Sequence, residues 1–277
     1  MMRKITIKNL NDKIDIIVDK FKYVCGNDYE AKDKIKKVLI NKFNKMAQSE
    51  YAEDNYSTEV LLDDEPININ DYMFFCIDSS FDLVQDIKLG TKSLSLEYIN
   101  ALFDGIEYTE EYQTINNLLI DFLDDRIEES DYIIKSSIEC ILTKKLLIKL
   151  IELNFLNDDN VINNYDLSLE ERIMVQLNMI KEISSKTNKK VLILLDSPIV
   201  SKTIKEALTN INAIIIVLFE KIEQDKYNDL LILDKIRIDT LDDNAIFELC
   251  NNNTSTFLSI EEMKEKLMKD YLIPRFI

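Results

Sequence analysis

The spacing of apolar residues changes twice along this chain of 277 residues. Between Ile106 and Ser197 there is no glycine or proline, and apolar residues recur every three or four positions, as on one face of a helix. Ser168 and Glu171 have the spacing of a capping box at a helix start. These features predict a mostly helical region. Its apolar stripes are Ile115, Leu118, Leu119, Phe122 and Leu123; Ile134, Ile138, Ile141 and Leu142; and Leu146, Leu147, Leu150 and Ile151.

The region before the helical block is predicted to form strands and one helix. Lys13–Cys25 is rich in β-branched and aromatic residues, and Tyr72–Ile77 has the pattern of a second short strand. Gly26 and Asn27 interrupt the first of these, after which Asp28 can cap a helix. The apolar face of that helix consists of Ala31, Ile35, Val38, Leu39, Phe43 and Met46.

Continuous apolar runs follow the helical block at Val191–Asp196, Ala213–Phe219 and Leu230–Ile238. Such runs are typical of strands that are buried on both faces of a parallel sheet. Ser197 and Pro198 suit the N-cap and the first position of a helix between two of these strands.

Together these stretches predict an α/β fold with one domain inserted into another. Residues 1–92 and 186–277 form a discontinuous head domain, and residues 93–185 form a mostly helical leg domain. The tail from Asp242 onwards begins with polar residues and ends in a helix that Ser259 and Glu262 can cap.

The turn between the first strand and its helix resembles a phosphate loop. That motif reads G-x-x-x-x-G-K-S/T between a strand and a helix, and the corresponding frame here is Gly26–Asp33. The first glycine and the lysine, Lys32, are in place. Ala31 replaces the second glycine, and Asp33 replaces the hydroxyl residue that binds magnesium. Asp33, together with Asp28 and Glu30 inside the loop, opposes the positive field that a triphosphate needs.

A second part of the ATPase pattern lies at the end of a later strand. Asp196 follows the apolar run Val191–Leu195, which is the position from which ATPases of this type hold magnesium. ABC-type ATPases place a glutamate directly after that acid, whereas this chain has Ser197. The two half-motifs therefore predict a degenerate phosphate-loop, ABC-ATPase-like head without ATP hydrolysis.

The composition excludes several classes of enzyme and of site. The chain contains no histidine, which removes Ser-His-Asp hydrolysis, Cys-His hydrolysis and histidine zinc chemistry. Its four cysteines are widely spread, which argues against a zinc site or a disulfide framework. Met1–Leu10 lacks the apolar core of a signal peptide, and no apolar run is long enough to span a bilayer. We expect a cytoplasmic protein without a membrane partner.

The net charge of −17 limits how the chain could bind nucleic acid. Duplex DNA carries one negative charge per about 1.7 Å of its axis, so an evenly acidic surface would repel it. Binding requires that the 34 basic residues are concentrated on one face or in one channel.

An ordered set of segments over roughly Lys13 to Asp239 resembles the Csn-two family of type II-A CRISPR loci, in particular its longer subfamily. No single motif is diagnostic, and the resemblance depends on the order of the segments. They are Tyr23-Val24-Cys25-Gly26-Asn27 with its helix, Leu62-Asp63-Asp64-Glu65-Pro66, Ile77-Asp78-Ser79-Ser80-Phe81-Asp82-Leu83, the helical block, Lys189-Lys190-Val191-Leu192-Ile193-Leu194-Leu195, and Tyr227-Asn228-Asp229-Leu230-Leu231-Ile232-Leu233.

The resemblance implies a non-catalytic homotetrameric ring that holds double-stranded DNA in a basic channel and loads from free ends. It also implies action in spacer acquisition together with the CRISPR integrase and the effector nuclease. Two alternatives stay open. One is a nucleotide-binding switch in which Lys32 and Asp196 still hold ATP and magnesium. The other is an oligomeric adaptor that recruits adaptation proteins without gripping DNA, which the acidic charge favours.

Candidate DNA contacts lie in two lysine clusters, although a helix that buries one face normally carries lysines on the other. The first cluster is expected opposite the apolar stripe of the first helix and the second in the leg. The clusters are Lys32, Lys36 and Lys37, and Lys144, Lys145 and Lys149.

Calcium is the one cofactor that the resemblance suggests, because some members of the family bind it in the leg. The matching segment, Ser136–Lys145, contains a single acid, whereas calcium needs several oxygen ligands. A calcium ion would therefore have to use the nearby acids Asp121, Asp124, Asp125 and Glu128, for which a solvated helix face is the simpler explanation.

Overall fold

The structure is a computed structural model, and the described residues are 2–8, 13–44, 59–91, 93–128, 143–154, 156–157, 160–162, 166–222, 229–234, 237–252 and 258–269. Its strands are β1 Arg3–Lys8, β2 Lys13–Val18, β3 Phe21–Cys25, β4 Glu59–Leu62, β5 Glu65–Pro66, β6 Tyr72–Asp78, β7 Leu156–Asn157, β8 Asn160–Val161, β9 Lys190–Asp196, β10 Ile199–Val200, β11 Ala213–Leu218, β12 Lys221–Ile222, β13 Leu230–Leu233 and β14 Arg237–Asp239. Its helices are α1 Tyr29–Asn44, α2 Leu83–Asp86, α3 Leu94–Leu102, α4 Glu110–Glu128, α5 Lys144–Lys149, α6 Leu169–Lys186, α7 Lys202–Thr209, α8 Asp243–Asn252 and α9 Ile260–Lys269.

The contacts divide the chain into two compact units, Met1–Phe81 with Ser168–Ile277, and Asp82–Leu167. The units meet in the sequence at 81/82 and 167/168, whereas the predicted domain boundaries are 92/93 and 185/186. The second boundary differs because α6 packs against β6 and α7 within the first unit. The capping box predicted at Ser168 and Glu171 is present at the start of this helix.

A six-stranded sheet forms the centre of the first unit, in the order β14-β13-β3-β11-β9-β6. All its pairings are parallel except that of β13 with β14. Residues Val191–Leu195 of β9 are all at most 3% exposed, as the continuous apolar run predicted. With the antiparallel sheet described next, this confirms a mixed α/β fold.

A four-stranded antiparallel sheet, in the order β2-β1-β4-β5, belongs to the same unit. Its apolar side chains, including Ile5 and Ile16, share one core cluster with α1 and with the six-stranded sheet. Helix α1 contributes Ile35 and Leu39 to this core, and both are fully buried. Strand β1 was not predicted, although Ile5 and Ile7 alternate there with polar residues at the period of a strand.

Two predictions after β9 were wrong in detail. Ser197 does not cap a helix, because its backbone N–H donates to the Leu218 carbonyl and its hydroxyl to the Ile199 carbonyl. The helix begins later, and the hydroxyl of Ser201 caps it by accepting from the Ile204 N–H. The run Leu230–Ile238 is also not one strand, because β13 and β14 pair with each other as antiparallel neighbours.

The two tail helices, α8 and α9, pack on each other around Ile246 and Met263. The predicted cap of the last helix is confirmed. The Ser259 N–H and hydroxyl donate to the Glu262 carboxylate, and the Glu262 N–H donates to the Ser259 hydroxyl.

The second unit contains helices α2 to α5 and the short hairpin of β7 and β8. The predicted stripe on α4 does form a helix face, but Ile115, Leu118, Leu119 and Phe122 are 36–64% exposed. Tyr112 and Asn116 are the residues of that helix that are buried instead. In the described part of the chain, no helix is long and apolar enough to cross a membrane.

A two-residue turn between β4 and β5 places both Asp63 and Asp64 at positive φ, 54° and 68°. Glycine adopts this conformation at less cost than aspartate. We expect Asp64→Gly to stabilise the protein by roughly 0.5–1 kcal/mol, since Asp64 is 76% exposed and its 3.7 Å ion pair with Lys4 contributes little. Urea unfolding would measure the change.

Asp63→Gly is the matched control. The Asp63 carboxylate accepts from the Lys4 backbone N–H at 2.8 Å, so this variant relieves the same strain but loses a hydrogen bond. Equal stabilisation by both substitutions would contradict the assignment of the gain to backbone conformation at residue 64.

Candidate functional site

Gly26 allows the turn from β3 into α1 to pass close to the end of β13. Its φ is +105°, and a Cβ at this position would lie 2.2 Å from the Leu233 carbonyl oxygen. A side chain is therefore excluded both by conformation and by space. Helix α1 already begins at Tyr29, so three residues separate it from β3.

The backbone N–H groups of this turn are bonded within the protein. Asn27 donates to the Asp234 carboxylate at 2.6 Å, and Asp28 donates to the Leu233 carbonyl at 2.9 Å. Ala31 donates to the Asp28 carboxylate at 2.9 Å, which confirms Asp28 as the predicted cap. In a phosphate loop such N–H groups point at the phosphates. Here the chain's own oxygens take these bonds.

Lys32, the lysine of the phosphate-loop pattern, is also engaged internally. Its ammonium donates to the Phe219 carbonyl at 2.9 Å and lies 5.6 Å from the centre of the Tyr29 ring. The residue is 8% exposed, so it does not lie on the solvated face of α1 as expected. Burial lowers the pKa of this ammonium, and the neighbouring Cys25 and Glu220 oppose that change.

Lys36 bridges the carboxyl ends of two neighbouring strands. Its ammonium donates to Asp196 at 2.6 Å and to Asp78 at 3.1 Å. Asp78 and Asp196 are register partners in the parallel pair β6 and β9. The second oxygen of Asp78 accepts from the backbone N–H and the hydroxyl of Ser80. Asp196 thus has an acidic neighbour and a bound ammonium.

The pKa values of Lys36 and Asp78 are shifted towards the charged forms. Burial would lower the pKa of Lys36, but the hydrogen bonds to Asp196 and Asp78 outweigh it, so the pKa lies above its ordinary value of 10.5. Burial would raise the pKa of Asp78, but the bonds from Ser80 and Lys36 outweigh it, and the pKa lies below 3.8. Both groups are therefore charged at neutral pH.

Lys36 and Asp196 line an open cleft of about 530 Å³ at the carboxyl edge of the sheet, whereas Asp78 is not one of its lining residues. Of the predicted residues, the fold brings Lys32, Asp33, Lys36, Lys37 and Asp196 together there. Asp33 and Lys37 form an exposed ion pair at 2.6 Å, one turn apart on α1. Gly26, in the turn before α1, and Ala31, in the first turn of that helix, do not line the cleft.

The second lysine cluster lies on α5 in the other unit. Lys144 donates to the Asn100 carbonyl at 3.0 Å. Lys145 and Lys149 are exposed, and within the described residues the side chain of neither forms a hydrogen bond or an ion pair. Lys149 also lines a separate cavity of about 570 Å³ that belongs to this unit.

The candidate calcium ligands are only partly described. The Asp121 side chain is exposed on α4, whereas the side chains of Asp124, Asp125 and Glu128 lie outside the described residues. Among the residues that are described, no group of three or more acids or cysteines could hold a metal ion. Calcium binding therefore stays a prediction.

Asp78 is the site residue that the sequence analysis did not select. The signal was available, because Asp78 directly follows the predicted strand Tyr72–Ile77 just as Asp196 follows Val191–Leu195. Parallel strands that lie side by side end at the same edge. That β6 and β9 are neighbours could not be read from the sequence, since the 111 residues from 79 to 189 lie between the two strands in the chain.

No family model matches this chain, and no curated protein matches it. Among solved structures, Stu0660 of Streptococcus thermophilus is similar with a TM-score of 0.69, over 95% of this chain and 84% of that one, at 17% sequence identity. At this identity the similarity shows a shared fold alone. A bacterial Atm1-family ABC exporter with ATP bound gives a TM-score of 0.41 and 11% identity over 96% of this chain and 42% of that one, too low to support an argument.

The Lys36 bridge predicts a particular dependence of stability on pH. A lowered Asp78 pKa stabilises the fold above pH 3.8, and this contribution is lost as the pH falls through the folded-state pKa. A raised Lys36 pKa stabilises it below pH 10.5, and that contribution is lost only as the pH rises through the still higher folded-state value. We expect Asp78→Asn to lower the free energy of unfolding by roughly 1–2 kcal/mol between about pH 5 and pH 9, with a smaller loss below pH 3.8.

Urea unfolding over a series of pH values would measure this. Asp33→Asn is the control, because Asp33 pairs with a lysine in the same cleft but is 53% exposed, and removing it should cost less than about 0.5 kcal/mol. A loss for Asp78→Asn that persists undiminished at pH 3 would contradict the proposed origin of the shift.

Proposed function

We propose that this chain is a non-catalytic, double-stranded DNA end-binding ring protein that acts in CRISPR spacer acquisition. The observation that carries the proposal is the fold similarity to Stu0660, a CRISPR-associated Csn-two structure. The ordered set of segments between Lys13 and Asp239 resembles the same family. The similarity of fold and the resemblance of sequence are separate observations, and together they favour this function over other uses of an α/β fold.

The head is proposed to be a phosphate-loop ATPase scaffold that has lost nucleotide binding. Its support is the order of the strands, in which β3 enters the Gly26 turn and β9 ends in Asp196, with β11 between them. The N–H groups of the turn and the ammonium of Lys32 are bonded to the protein itself. A nucleotide would have to break these bonds before it could form its own.

The proposed assembly is a homotetrameric ring in the cytoplasm, with the CRISPR integrase and effector nuclease as further partners. An acidic exterior and a basic channel would reconcile the net charge of −17 with DNA binding. Among the six candidate lysines, Lys145 and Lys149 are the best placed to meet phosphate. Lys32 and Lys36 would first have to give up buried or bridging bonds, and Lys144 donates to a carbonyl.

A comparison of linear and closed circular DNA tests the proposal. We expect the full chain to bind a linear duplex and not the covalently closed form of the same sequence, since a ring must load from an end. Binding should weaken steeply with salt, because each phosphate contact releases condensed counterions. Fluorescence anisotropy and gel shift would measure both. Equal binding to the two forms would contradict end loading, and an oligomer that binds neither would favour the adaptor alternative.

The lysine assignment is tested in the same assay with Lys145→Glu/Lys149→Glu. We expect the negative slope of log K against log salt to become less steep by about two, since each phosphate contact contributes about 0.9 to its magnitude. Lys181→Glu/Lys186→Glu is the matched control, because both lysines are exposed on α6 and the change in net charge is the same. If the control reduced binding as much, the effect would be one of overall charge and the assignment would be wrong.

Loss of nucleotide binding is tested by calorimetry with magnesium ATP. We expect no heat of binding to the wild-type chain at millimolar nucleotide, because Lys32 and the N–H groups of the Gly26 turn are already bonded within the protein. Saturable binding that Lys32→Met abolishes would instead support the nucleotide-switch alternative. Circular dichroism should show that Lys32→Met is folded like wild type, because Lys32 is buried and its substitution can disturb the fold.

A further inference from the structure

Two carboxylates at the edge of the six-stranded sheet share a single ammonium group. Asp78 and Asp196 end neighbouring parallel strands at the same register position. One oxygen of each accepts from Lys36, at 3.1 Å and 2.6 Å. The lysine comes from a different element, helix α1, and its side chain is 25% exposed. The Lys36 side chain thus holds a positive charge between the ends of the two strands.

This arrangement has the chemistry of a divalent-cation site with the cation supplied by the chain. Magnesium is commonly held in proteins by one or two carboxylates, with water completing its six ligands. An acid at the end of such a strand is the magnesium ligand of phosphate-loop ATPases. Here the two carboxylates are present, and the ammonium of Lys36 occupies the position between them.

We propose that Lys36 is a built-in replacement for a divalent cation, which excludes metal ions from the space between Asp78 and Asp196. Removing its ammonium opens a site for Mg²⁺ or Mn²⁺ between Asp78 and Asp196. In the native chain the ammonium therefore leaves no room for a metal ion between these two carboxylates. The proposal is independent of the proposed function, because neither the ring nor the DNA channel enters it.

Geometry and charge both support the exclusion of metal ions from the space between Asp78 and Asp196. An ion at the shared position would lie on top of the ammonium, and the two positive charges would repel each other. The second carboxylate oxygen of Asp78 also has its own partners, since it accepts two hydrogen bonds from Ser80. Without the ammonium, two carboxylates face each other, and they must either share a proton or take up another cation.

Manganese is the probe, because its electron paramagnetic resonance signal distinguishes free from bound ion. Full-length wild type and Lys36→Arg should leave added Mn²⁺ free at pH 7.5. Lys36→Ala should bind about one Mn²⁺ per chain, at least tenfold more tightly than wild type. Calorimetry with Mg²⁺ should show the same order of the three proteins. Lys36→Ala/Asp196→Asn should lose the gained site.

Thermal unfolding keeps the test decisive if Lys36→Ala is poorly folded. Lys36→Met retains the aliphatic part of the side chain, and Mn²⁺ should raise its melting temperature but not that of wild type or Lys36→Arg. Wild type that binds Mn²⁺ as well as Lys36→Ala would overturn the proposal. So would the absence of any gain in both variants, which would indicate that the carboxylates share a proton instead. A gain that survives Asp196→Asn would place the metal elsewhere and would equally contradict it.

Discussion

The attachment of helix α1 to the carboxyl edge of the parallel sheet is the constraint on which the rest of the head depends. The turn at Gly26 packs against the end of β13, Lys32 donates to the carbonyl of Phe219, and Lys36 joins the ends of β6 and β9. The apolar face of α1, centred on Ile35 and Leu39, is buried in the core that both sheets share. Polar bonds at one end and apolar packing along one face therefore hold the same helix.

The same attachment occupies the groups that the proposed phosphate-loop scaffold would need for a nucleotide. Catalysis of phosphoryl transfer depends on N–H groups, a lysine and a metal that are free to meet the nucleotide. In this chain the N–H groups of Asn27 and Asp28 and the ammonium of Lys32 are bonded internally. The ammonium of Lys36 lies between the carboxylates of Asp78 and Asp196. The same bonds stabilise the fold and fill the site.

Much of this could be predicted from local pattern. The α/β class followed from continuous apolar runs such as Val191–Leu195, and the caps at Ser168 and Ser259 followed from short-range spacing. The helix start at Ser201 was missed, because Ser197 and Pro198 have a suitable local sequence but Ser197 bonds to Leu218 across the sheet. Local rules fail where a partner far along the chain takes the hydrogen bond.

The sequence by itself determined which groups are present. They are a strand–glycine–helix turn with more acids than a triphosphate site tolerates, and an acid after an apolar strand, in a chain without histidine. Only the tertiary structure decided what those groups do. The register of β6 against β9 brings Asp78 to Asp196, and the packing of α1 brings Lys36 between them. The physical reason is that bonds within a helix or turn are set by neighbouring residues, whereas strand order and helix packing are set by burial of apolar surface from the whole chain.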